Sequence, residues 1–360
     1  MANIYQIGAG LVGRTMALDL SKDHTVFLAD NNLKLLESIK SEDPTIHIKK
    51  LDVKESNDLI KFIKNADVVL LAVPGFLGFD CLKKIIISKK NVVDISFSPE
   101  NSMQLDSLAK DNNVTAVIDA GVAPGIPNYI LGYHNRSMKI ESFEYFVGGL
   151  PKYPKEPFNY KAPFSPIDVI EEYTRPARMI INKQLITKPA LTDIESIRFK
   201  DVGRLEMFNT DGLRSILSTM SHIPNMREKT VRYPGHAKVI KSYIENGKFS
   251  PTNIDETANQ LLKEWKLEPQ EEEFTVMDII LKSSTKKIHY HLFDSYDKAS
   301  NTSSMSRTTG YTATASINLL LNKKITKTGV LPPELVGSID SCWDYVFSYL
   351  NNRKVQIKLL

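Results

Sequence analysis

The stretch IYQIGAGLVGRTMALDL, residues 4–20, decides the fold of this chain. A short apolar strand runs into Gly8, Gly10 and Gly13 at G-x-G-x-x-G spacing, and an amphipathic helix follows. In such a unit the first glycine permits a tight turn, the second lets the backbone approach a pyrophosphate, and the third lets the helix pack closely on the strand. The N–H groups that begin the helix favour an anion. The turn therefore predicts dinucleotide binding by Gly8, Ala9, Gly10, Leu11, Val12 and Gly13.

The first 125 residues alternate short apolar runs with segments of helical periodicity. Helical stretches such as NLKLLESIK (32–40) and SNDLIKFIKN (56–65) carry apolar residues three or four positions apart. They lie between the predicted strands, which are residues 3–7, 25–29, 46–51, 67–73, 91–95 and 116–119. This alternation predicts an α/β domain with a doubly wound parallel sheet, the Rossmann architecture.

The end of the second predicted strand favours NAD as the cofactor. The strand ends FLAD, which places Asp30 about 20 residues beyond the glycine-rich turn, where a carboxylate accepts hydrogen bonds from the adenosine ribose. The same carboxylate would repel the 2′-phosphate of NADP. Arg14 keeps NADP as an alternative, because its guanidinium could swing towards that phosphate. Asp52 and Val53, at the end of the third strand, are expected either beside the adenine or in an ordinary strand-to-loop transition.

The other strand ends indicate where a nicotinamide would lie. Ligands of doubly wound sheets bind outside the carboxyl ends of the strands. The next three predicted strands end at Val73 and Pro74, at Asp94, and at Asp119 followed by Gly121. No Ser-His-Asp set, Cys-His pair or nucleophile elbow is visible near these positions, so covalent acyl chemistry has no candidate. Hydride transfer, which needs orientation and one proton acceptor, is favoured instead.

The pattern changes after Asp119, at the Gly- and Pro-rich stretch AGVAPGIPN (120–128). We place a domain boundary there, which predicts a first domain of residues 1–125 with 308–360 and a second domain of residues 126–307. The second domain favours an α+β fold with a mixed or antiparallel sheet. Its predicted strands are 142–150, 177–186, 275–283 and 286–294, the last two as a hairpin, and its predicted helices are 165–172, 211–220, 235–246 and 256–266. Helices predicted at 310–322 and 334–350 would pack back on the first domain.

Composition excludes several classes of protein. The chain has 46 Lys or Arg and 42 Asp or Glu among 360 residues, and the two signs are interspersed, so nucleic-acid binding has little support. Apolar runs such as VVLLAV (68–73) are far shorter than the roughly 20 residues of a membrane span. The N-terminal stretch MANIYQIGAG does not resemble a secretory signal, so we expect a cytoplasmic protein.

No metal site is expected either. Cys81 and Cys342 lack CxxC spacing and neighbouring histidines, so we interpret both as buried thiols rather than as a disulfide or zinc ligands. The acidic run Glu271–Glu273 is interpreted as a solvated loop.

A second cluster of polar residues lies in EEYTRPAR (171–178) and KTVRYPGHAK (229–238). Each segment combines an Arg, a Tyr and a Pro. Arg175 and Arg232 are candidate partners for a substrate carboxylate, because the planar guanidinium binds it bidentately. His236 is either a catalytic group or a structural histidine.

Seven segments together resemble the saccharopine dehydrogenase family, and most closely its short members, the lysine 6-dehydrogenases. They are GAGLVG, DAGVAPGIPN, YFVGGLPKYP, FSPIDVIEEYTRPA, VRYPGHAK, RTTGYTA and GVLPPE, in that order along nearly the whole chain. The resemblance implies a Rossmann domain completed by C-terminal helices, a mixed-sheet second domain that also makes dimer contacts, and NAD-linked chemistry at a carbon that bears an amine. It thus implies an amino-acid substrate and a homodimer or homotetramer.

The resemblance also assigns residues to the two sides of the site. Asp119, Gly121, Pro124 and Gly125 would line the nicotinamide side. The substrate side would be lined by Glu144, Tyr173, Arg232, Tyr233 and His236. We take Asp119, Glu144 and His236 as the candidate catalytic bases, with none of the three preferred by motif.

The expected reaction is the NAD-dependent oxidative deamination of L-lysine at its 6-amino group to the 6-semialdehyde. A base is needed because the ε-ammonium, with a pKa near 10.4, must lose its proton before the carbon beside it can release a hydride. Three alternatives remain open: saccharopine oxidation or reduction, carboxynorspermidine-type reductive amination, and a non-catalytic NAD-binding sensor. Saccharopine carries two further carboxylates and would need more arginines, for which the sequence offers Arg178, Arg198, Arg204, Arg214 and Arg227.

Overall fold

The chain folds into two units, and the computed structural model describes residues 1–163, 166–268 and 270–360. One unit comprises residues 1–136 and 306–354, and the other comprises residues 137–305 and 355–360. The first unit therefore extends beyond the boundary predicted at residue 125, and the last six residues belong to the second unit. No helix within the described ranges is long and apolar enough to cross a membrane.

The strands and helices follow one another along the chain with short connections. The strands are β1 (Asn3–Ile7), β2 (Thr25–Asp30), β3 (His47–Lys50), β4 (Val68–Leu71), β5 (Val92–Asp94), β6 (Thr115–Val117), β7 (Ser142–Pro151), β8 (Ala177–Ile181), β9 (Gln184–Lys188), β10 (Glu195–Phe199), β11 (Gly203–Asn209), β12 (Asn225–Arg232), β13 (Glu273–Lys282), β14 (Lys287–Ser295), β15 (Gly329–Leu331) and β16 (Ile357–Leu359). The helices are α1 (Leu11–Leu20), α2 (Leu33–Glu42), α3 (Ser56–Ile63), α4 (Gly75–Ile87), α5 (Asp106–Asp111), α6 (Ile126–Asn135), α7 (Pro166–Thr174), α8 (Ile216–Thr219), α9 (His236–Glu245), α10 (Ile254–Glu264), α11 (Ser304–Leu321), α12 (Pro333–Gly337) and α13 (Cys342–Asn352).

The first unit is built on a parallel sheet of seven strands in the order β15-β6-β5-β4-β1-β2-β3. All its described pairings are parallel. Its central strands are apolar because both faces are covered, and every residue of β4 is buried. The predicted doubly wound architecture is confirmed, and it places the carboxyl ends of β1, β2, β4, β5 and β6 along one edge of the sheet.

The C-terminal segment completes the first unit. Strand β15 extends the sheet beside β6, with Leu331 opposite Val117. Helix α12 lies against α6, where a Cβ on Gly132 would stand 2.0 Å from the carbonyl oxygen of Glu334. This backbone contact explains why α6 belongs to the first unit rather than to the second. Cys81 and Cys342 are buried free thiols, as predicted, and burial raises the pKa of each to about 11.

The second unit is built on a mixed sheet, as predicted. Its strand order is β10-β11-β12-β7-β13-β14-β16, with β8 pairing β12 and β9. Strands β12 and β7 run parallel, while β13 runs antiparallel to β7 and to β14. The predicted hairpin is confirmed, and its register places Phe274 opposite Ser295 and Lys282 opposite Lys287. The last residues pair with β14 through β16, which is why they join this unit.

Two predicted elements of the second unit are wrong, the strand at 177–186 and the helix at 211–220. The strand predicted at 177–186 is the hairpin of β8 and β9, because Asn182 and Lys183 adopt positive φ and reverse the chain. Within the helix predicted at 211–220, only α8 is helical, because the residues before α8 form a loop held by side chains of neighbouring strands. The helix predicted from residue 165 begins, in the described part of the chain, at residue 166 as α7; residue 165 lies outside that part. The strands β10, β11, β12 and β16 were not predicted.

Two further differences concern the ends of elements. Glu273, expected in a solvated loop, is the first residue of β13 and only 1% exposed, and its Oε1 accepts the backbone N–H of Met305 at 3.2 Å. The helix predicted at 334–350 is divided into α12 and α13, and Ser341 between them adopts a positive φ.

Candidate functional site

The turn between β1 and α1 has the geometry that its glycines predict. Gly8 has φ +106°, and a Cβ there would lie 2.2 Å from the carbonyl oxygen of Ala72. A Cβ on Gly13 would lie 2.3 Å from the carbonyl oxygen of Gly8, so the helix starts in direct contact with the turn. A Cβ on Gly10 would meet nothing within 4 Å. The open space at Gly10, in front of a helix start with no side-chain cap, fits a pyrophosphate.

Gln6 holds this turn from inside and was not identified by the sequence analysis. Its side chain is fully buried, and its Nε2 donates hydrogen bonds to the carbonyl oxygens of Gly8 at 2.9 Å and of Gly13 at 2.7 Å. One amide group thus ties the first and third glycines together. A polar residue in an otherwise apolar strand, two positions before the turn, was the available signal.

Asp30 lies at the end of β2, beside the glycine-rich turn. Its Oδ2 accepts the backbone N–H of Ala9 at 2.8 Å, and its Oδ1 accepts that of Asn32 at 2.8 Å. These two bonds fix the carboxylate at the edge of the turn, where the ribose was expected. Arg14, the candidate cation for a 2′-phosphate, forms a bidentate ion pair with Glu42 of α2.

Residues expected near the adenine follow β3. The backbone of β3 is joined to β2 where Leu51 donates its N–H to the carbonyl oxygen of Asp30 at 2.9 Å. Asp52 is exposed and caps its own turn by accepting the N–H of Lys54 at 3.0 Å, whereas Val53 is buried. Asp52 therefore makes the contacts of an ordinary strand-to-loop transition.

The ends of β4, β5 and β6 place the other predicted cofactor residues on the same edge. Val73 is buried and Pro74, which precedes α4, is exposed. Asp94 is 1% exposed, and its Oδ1 accepts the backbone N–H of Ser96 at 2.8 Å. The carbonyl oxygen of Asp94 accepts the N–H of Ala120 at 3.2 Å, which joins the end of β5 to the segment that follows β6.

The segment after β6 forms a tight loop. Asp119 is 6% exposed and has φ +52°, a backbone conformation that few non-glycine residues adopt. Gly121 donates its N–H to the carbonyl oxygen of Pro124 at 3.2 Å. Gly125 has φ +143°, and a Cβ there would lie 1.8 Å from the carbonyl oxygen of Gly121, so only glycine fits. The structure therefore brings Asp119, Gly121, Pro124 and Gly125 together.

In the second unit a buried chain of hydrogen bonds joins three of the predicted substrate residues. The Nε of Arg232 donates to the Tyr173 hydroxyl at 3.1 Å, and that hydroxyl contacts the Nε2 of His236 at 2.9 Å. The Nδ1 of His236 contacts the carbonyl oxygen of Phe158 at 2.7 Å, so Nδ1 carries the proton and Nε2 accepts. Arg232, Tyr173 and His236 are each at most 3% exposed.

Carboxylate and aromatic groups surround this chain. The Nη2 of Arg232 forms an ion pair with Glu172 at 3.2 Å, and the guanidinium stacks on the Tyr160 ring at 4.4 Å. Burial raises the pKa of Glu172, and Arg232 opposes that shift. Glu172 was not among the predicted residues, although it stands beside Tyr173 in the segment EEYTRPAR.

His236 has the environment of a structural histidine. It is fully buried, both ring nitrogens have hydrogen-bond partners, and burial together with Arg232 lowers its pKa to about 3. A neutral imidazole whose lone pair already accepts a hydrogen bond cannot take a substrate proton in this arrangement. The geometry therefore does not support the catalytic role considered for His236.

The other predicted substrate residues lie outside this chain. Glu144 forms ion pairs with Arg227 at 2.7 Å and with Lys282 at 3.5 Å. Arg175 pairs with Glu171 one helical turn before it, at 2.5 Å. The Tyr233 hydroxyl donates to the carbonyl oxygen of Pro151 at 2.9 Å, which anchors the segment after β12 to the end of β7.

Comparison with known proteins identifies the family. Residues 4–117 match the saccharopine dehydrogenase NADP binding domain, and residues 121–354 match the saccharopine dehydrogenase C-terminal domain. The chain belongs to the saccharopine dehydrogenase family. The resemblance to the saccharopine dehydrogenase family as a whole, inferred from the sequence motifs, is thereby confirmed, and a pyridine nucleotide is the cofactor class that the glycine-rich turn accommodates.

The relatives found by sequence comparison are only distantly similar to this chain, and they are longer than it. An alpha-aminoadipic semialdehyde synthase of Arabidopsis thaliana is 27% identical over 228 residues, which are 59% of this chain and 21% of that protein. The saccharopine dehydrogenase [NADP(+), L-glutamate-forming] of Saccharomyces cerevisiae is 23% identical over 260 residues, which are 68% of this chain and 58% of that protein. The chain spans between 21% and 58% of the length of such relatives.

A solved structure of the family has the same fold. The apo saccharopine dehydrogenase (L-Glu forming) of Saccharomyces cerevisiae aligns over 100% of both chains with a TM-score of 0.78, at 17% sequence identity. The agreement confirms the combination of a parallel seven-stranded sheet with a mixed-sheet second unit.

Proposed function

We propose that this member of the saccharopine dehydrogenase family is an NAD-linked amine dehydrogenase that oxidises L-lysine at Cε. The products would be the 6-semialdehyde and ammonia, because the imine left by hydride loss is hydrolysed by water. Bound NAD supplies the hydride acceptor. The glycine-rich turn and Asp30 would hold the cofactor, and the loop from Asp119 to Gly125 would lie on its nicotinamide side.

The pairing of arginines in the second unit carries the choice of lysine. Four arginines of this unit each form an ion pair with a carboxylate of the same unit: Arg175 with Glu171, Arg178 with Asp211, Arg227 with Glu144, and Arg232 with Glu172. Saccharopine has two more carboxylates than lysine, so binding it through these four arginines would require several of the pairs to be exchanged. Lysine needs one cation for its α-carboxylate.

Arg175 is the anchor that we favour for that carboxylate. The N–H groups of Arg232 donate to the side chains of Tyr173, Glu172 and Tyr160 and to the backbone of its own strand. Arg232 therefore has a supporting role and does not bind the substrate carboxylate. Arg175 lies just beyond α7, and the ion pair described for it is with Glu171, in the last turn of that helix. An exchange of that short-range pair for a substrate carboxylate needs no rearrangement of the buried chain.

Asp119 is the base that we favour. It lies at the carboxyl end of β6, on the edge of the sheet where ligands of doubly wound folds bind. Glu144 already forms ion pairs with Arg227 and Lys282, and the lone pair of His236 is engaged by Tyr173. Asp119 would accept the proton of the ε-ammonium before hydride loss.

NAD is the cofactor that we propose, on the evidence of two side chains. The Asp30 carboxylate stands at the end of β2, where it would repel a 2′-phosphate, and the Arg14 guanidinium is paired with Glu42. The alternative, saccharopine oxidation with NADP, is favoured by the names of the family relatives, which include saccharopine dehydrogenases of the NADP(+), L-glutamate-forming type.

A matrix of initial rates tests the proposal. The purified chain is assayed for reduced-cofactor formation with NAD or NADP against L-lysine, saccharopine and carboxynorspermidine. We expect turnover with lysine and NAD, and in Asp30→Asn we expect the NAD-to-NADP ratio of kcat/KM to fall about tenfold, or ~1.4 kcal/mol. Turnover only with saccharopine would show that saccharopine, not lysine, is the substrate. No reduced cofactor with any of the three amines would favour the NAD-binding sensor.

A further inference from the structure

The segment GVLPPE, residues 329–334, is distinctive in the sequence and has no part in the reaction as described above. It contains β15 and the start of α12, which is in backbone contact with α6. A Cβ on Gly132 of α6 would stand 2.0 Å from the carbonyl oxygen of Glu334, and a Cβ on Gly337 would stand 2.3 Å from that of Tyr129. The close approach of the two helices holds Glu334 against α6.

Glu334 and Asn128 form a hydrogen-bonded pair in the core of the first unit. Both residues are 0% exposed, and the Asn128 Nδ2 donates to the Glu334 Oε2 at 3.0 Å. The backbone N–H of Gly125 can only donate, so it selects the orientation of the Asn128 amide in which Nδ2 faces Glu334. The amide oxygen then points the other way, and Oδ1 accepts the backbone N–H of Gly125 at 3.2 Å.

Gly125 is the residue through which this pair reaches the loop after β6. It precedes α6 and lies against Gly121, whose N–H donates to the carbonyl oxygen of Pro124. Ala120, one residue earlier, donates its N–H to the carbonyl oxygen of Asp94. The orientation of the Gly125 peptide therefore determines the path of the loop that begins at Asp119.

We propose that Glu334 and Asn128 are positioning residues that fix the loop from Asp119 to Gly125 for the reaction. The proposal rests on the proposed function, which assigns this loop to the nicotinamide and to the base. Neither side chain touches the reacting atoms. Their disruption should therefore lower kcat, while the affinity for NAD, which depends on the glycine-rich turn and Asp30, should remain.

An exchange of donor and acceptor tests the pair. Asn128→Asp sets two acidic groups against each other and removes the amide donor. Asn128→Asp combined with Glu334→Gln restores the chain in reverse, because the new carboxylate accepts from the glutamine Nε2 and from Gly125. A misplaced catalytic loop costs on the order of 100-fold in rate, so we expect kcat to fall at least about tenfold in the single variant and to recover to within about threefold in the double variant. The NAD dissociation constant should stay within about twofold.

Amide hydrogen exchange in the cofactor-free protein gives a second readout. We expect the Gly125 N–H to exchange at least about tenfold faster in Asn128→Asp and at the wild-type rate in the double variant. Asn101→Asp, which keeps a cap on the turn at Ser102–Leu105, is the control for the same substitution elsewhere and should change neither readout.

Two results would overturn the proposal: wild-type kcat and exchange in Asn128→Asp, or a double variant as impaired as the single one. If the wild-type chain oxidises no amine, the proposed function fails, and Gly125 exchange still decides whether the pair fixes the loop.

Discussion

One of the buried carboxyl groups of the second unit, that of Glu228 in β12, makes the stability of this unit depend on pH. Its side chain accepts hydrogen bonds from the Thr210 hydroxyl at 2.8 Å and from the Gly212 N–H at 3.0 Å. Glu228 is 4% exposed, and burial raises its pKa to about 8. Glu228 is therefore protonated at neutral pH, and in this form it holds the loop between β11 and α8.

The raised pKa predicts how stability changes with pH. The unfolded chain releases the Glu228 proton near pH 4.3, whereas the folded chain keeps it up to about pH 8. The free energy of unfolding should therefore fall as the pH rises through this window and level off above it. In Glu228→Gln this contribution disappears, so the fall between pH 5 and pH 8 should be smaller than in the wild type by on the order of 2 kcal/mol.

Urea unfolding between pH 5 and pH 9 measures the effect, and Glu245→Gln, an exposed position on α9, is the matched control. Parallel pH profiles for the wild type and Glu228→Gln would show that Glu228 is not responsible.

At the same scale, residues that a sequence motif specifies could be located, and residues that no motif specifies, such as Gln6 and Glu228, were missed. The three glycines and Asp30 could be predicted because each is defined by its position after a strand. Glu228 could not, because its partners lie about 16 to 18 residues earlier along the chain and meet it only when β11 pairs with β12. The choice left open for His236 could not be made from the sequence either, because its partners Tyr173 and Phe158 lie 63 and 78 positions away.

At the scale of the element, two glycines of the turn between β1 and α1 are expected to have different roles, Gly10 in cofactor binding and Gly13 in folding. The space beside Gly10 is open, whereas the space beside Gly13 is filled by the backbone of Gly8. Gly10→Ala should therefore leave the melting temperature unchanged and weaken NAD binding at least about tenfold, or ~1.4 kcal/mol. Gly13→Ala should instead lower the free energy of unfolding by about 2 kcal/mol.

Calorimetric melting and NAD titration of the two variants check this prediction. Equal losses of stability in both variants would contradict the assignment of separate roles to the two glycines.

The C-terminal helix α13 is joined to α1 by a buried ion pair. Arg353, just beyond α13, donates its Nε to both oxygens of Asp19 at 2.8 and 2.9 Å, and Tyr349 donates its hydroxyl to Asp19 at 2.8 Å. Arg353→Ala leaves the Asp19 carboxylate buried without its guanidinium and should lower the free energy of unfolding by about 3 kcal/mol. Lys22→Ala, which removes an exposed cation 3.6 Å from Asp19, should cost less than about 0.5 kcal/mol. Denaturant unfolding of both variants measures the two changes in the free energy of unfolding. Equal changes would contradict the role given to the ion pair between Arg353 and Asp19.

Most strands of the first unit were predicted, and several strands of the second unit were not. Strands β1, β2, β4, β5 and β6 follow the predicted positions because their apolar runs have no helical period, and β3 lies within the predicted range 46–51 although none of its residues is buried. Strand β10 carries mostly exposed residues, so no apolar pattern predicted it, whereas β12 is mostly buried and was still missed. The reversal between β8 and β9 uses Asn182 and Lys183 rather than the Asn-Gly pair that marks such turns.

At the scale of the whole molecule, the sequence indicated the family, while the proposed substrate depends on side chains that only the fold brings together. The parallel sheet predicts a dinucleotide at its carboxyl edge, and family membership adds a pyridine nucleotide. The four arginine ion pairs of the second unit are the basis on which we propose a substrate with a single carboxylate. These four pairs join residues as far as 83 positions apart in the chain, so no local motif predicts them all.

The most direct test of the central claim uses L-lysine deuterated at Cε, with NAD as the cofactor. The account predicts that deuterium appears on the reduced nicotinamide, that ammonia is released in proportion to it, and that the reaction is slower than with ordinary lysine. Reduced cofactor without deuterium, or formed only when saccharopine replaces lysine, would contradict the account.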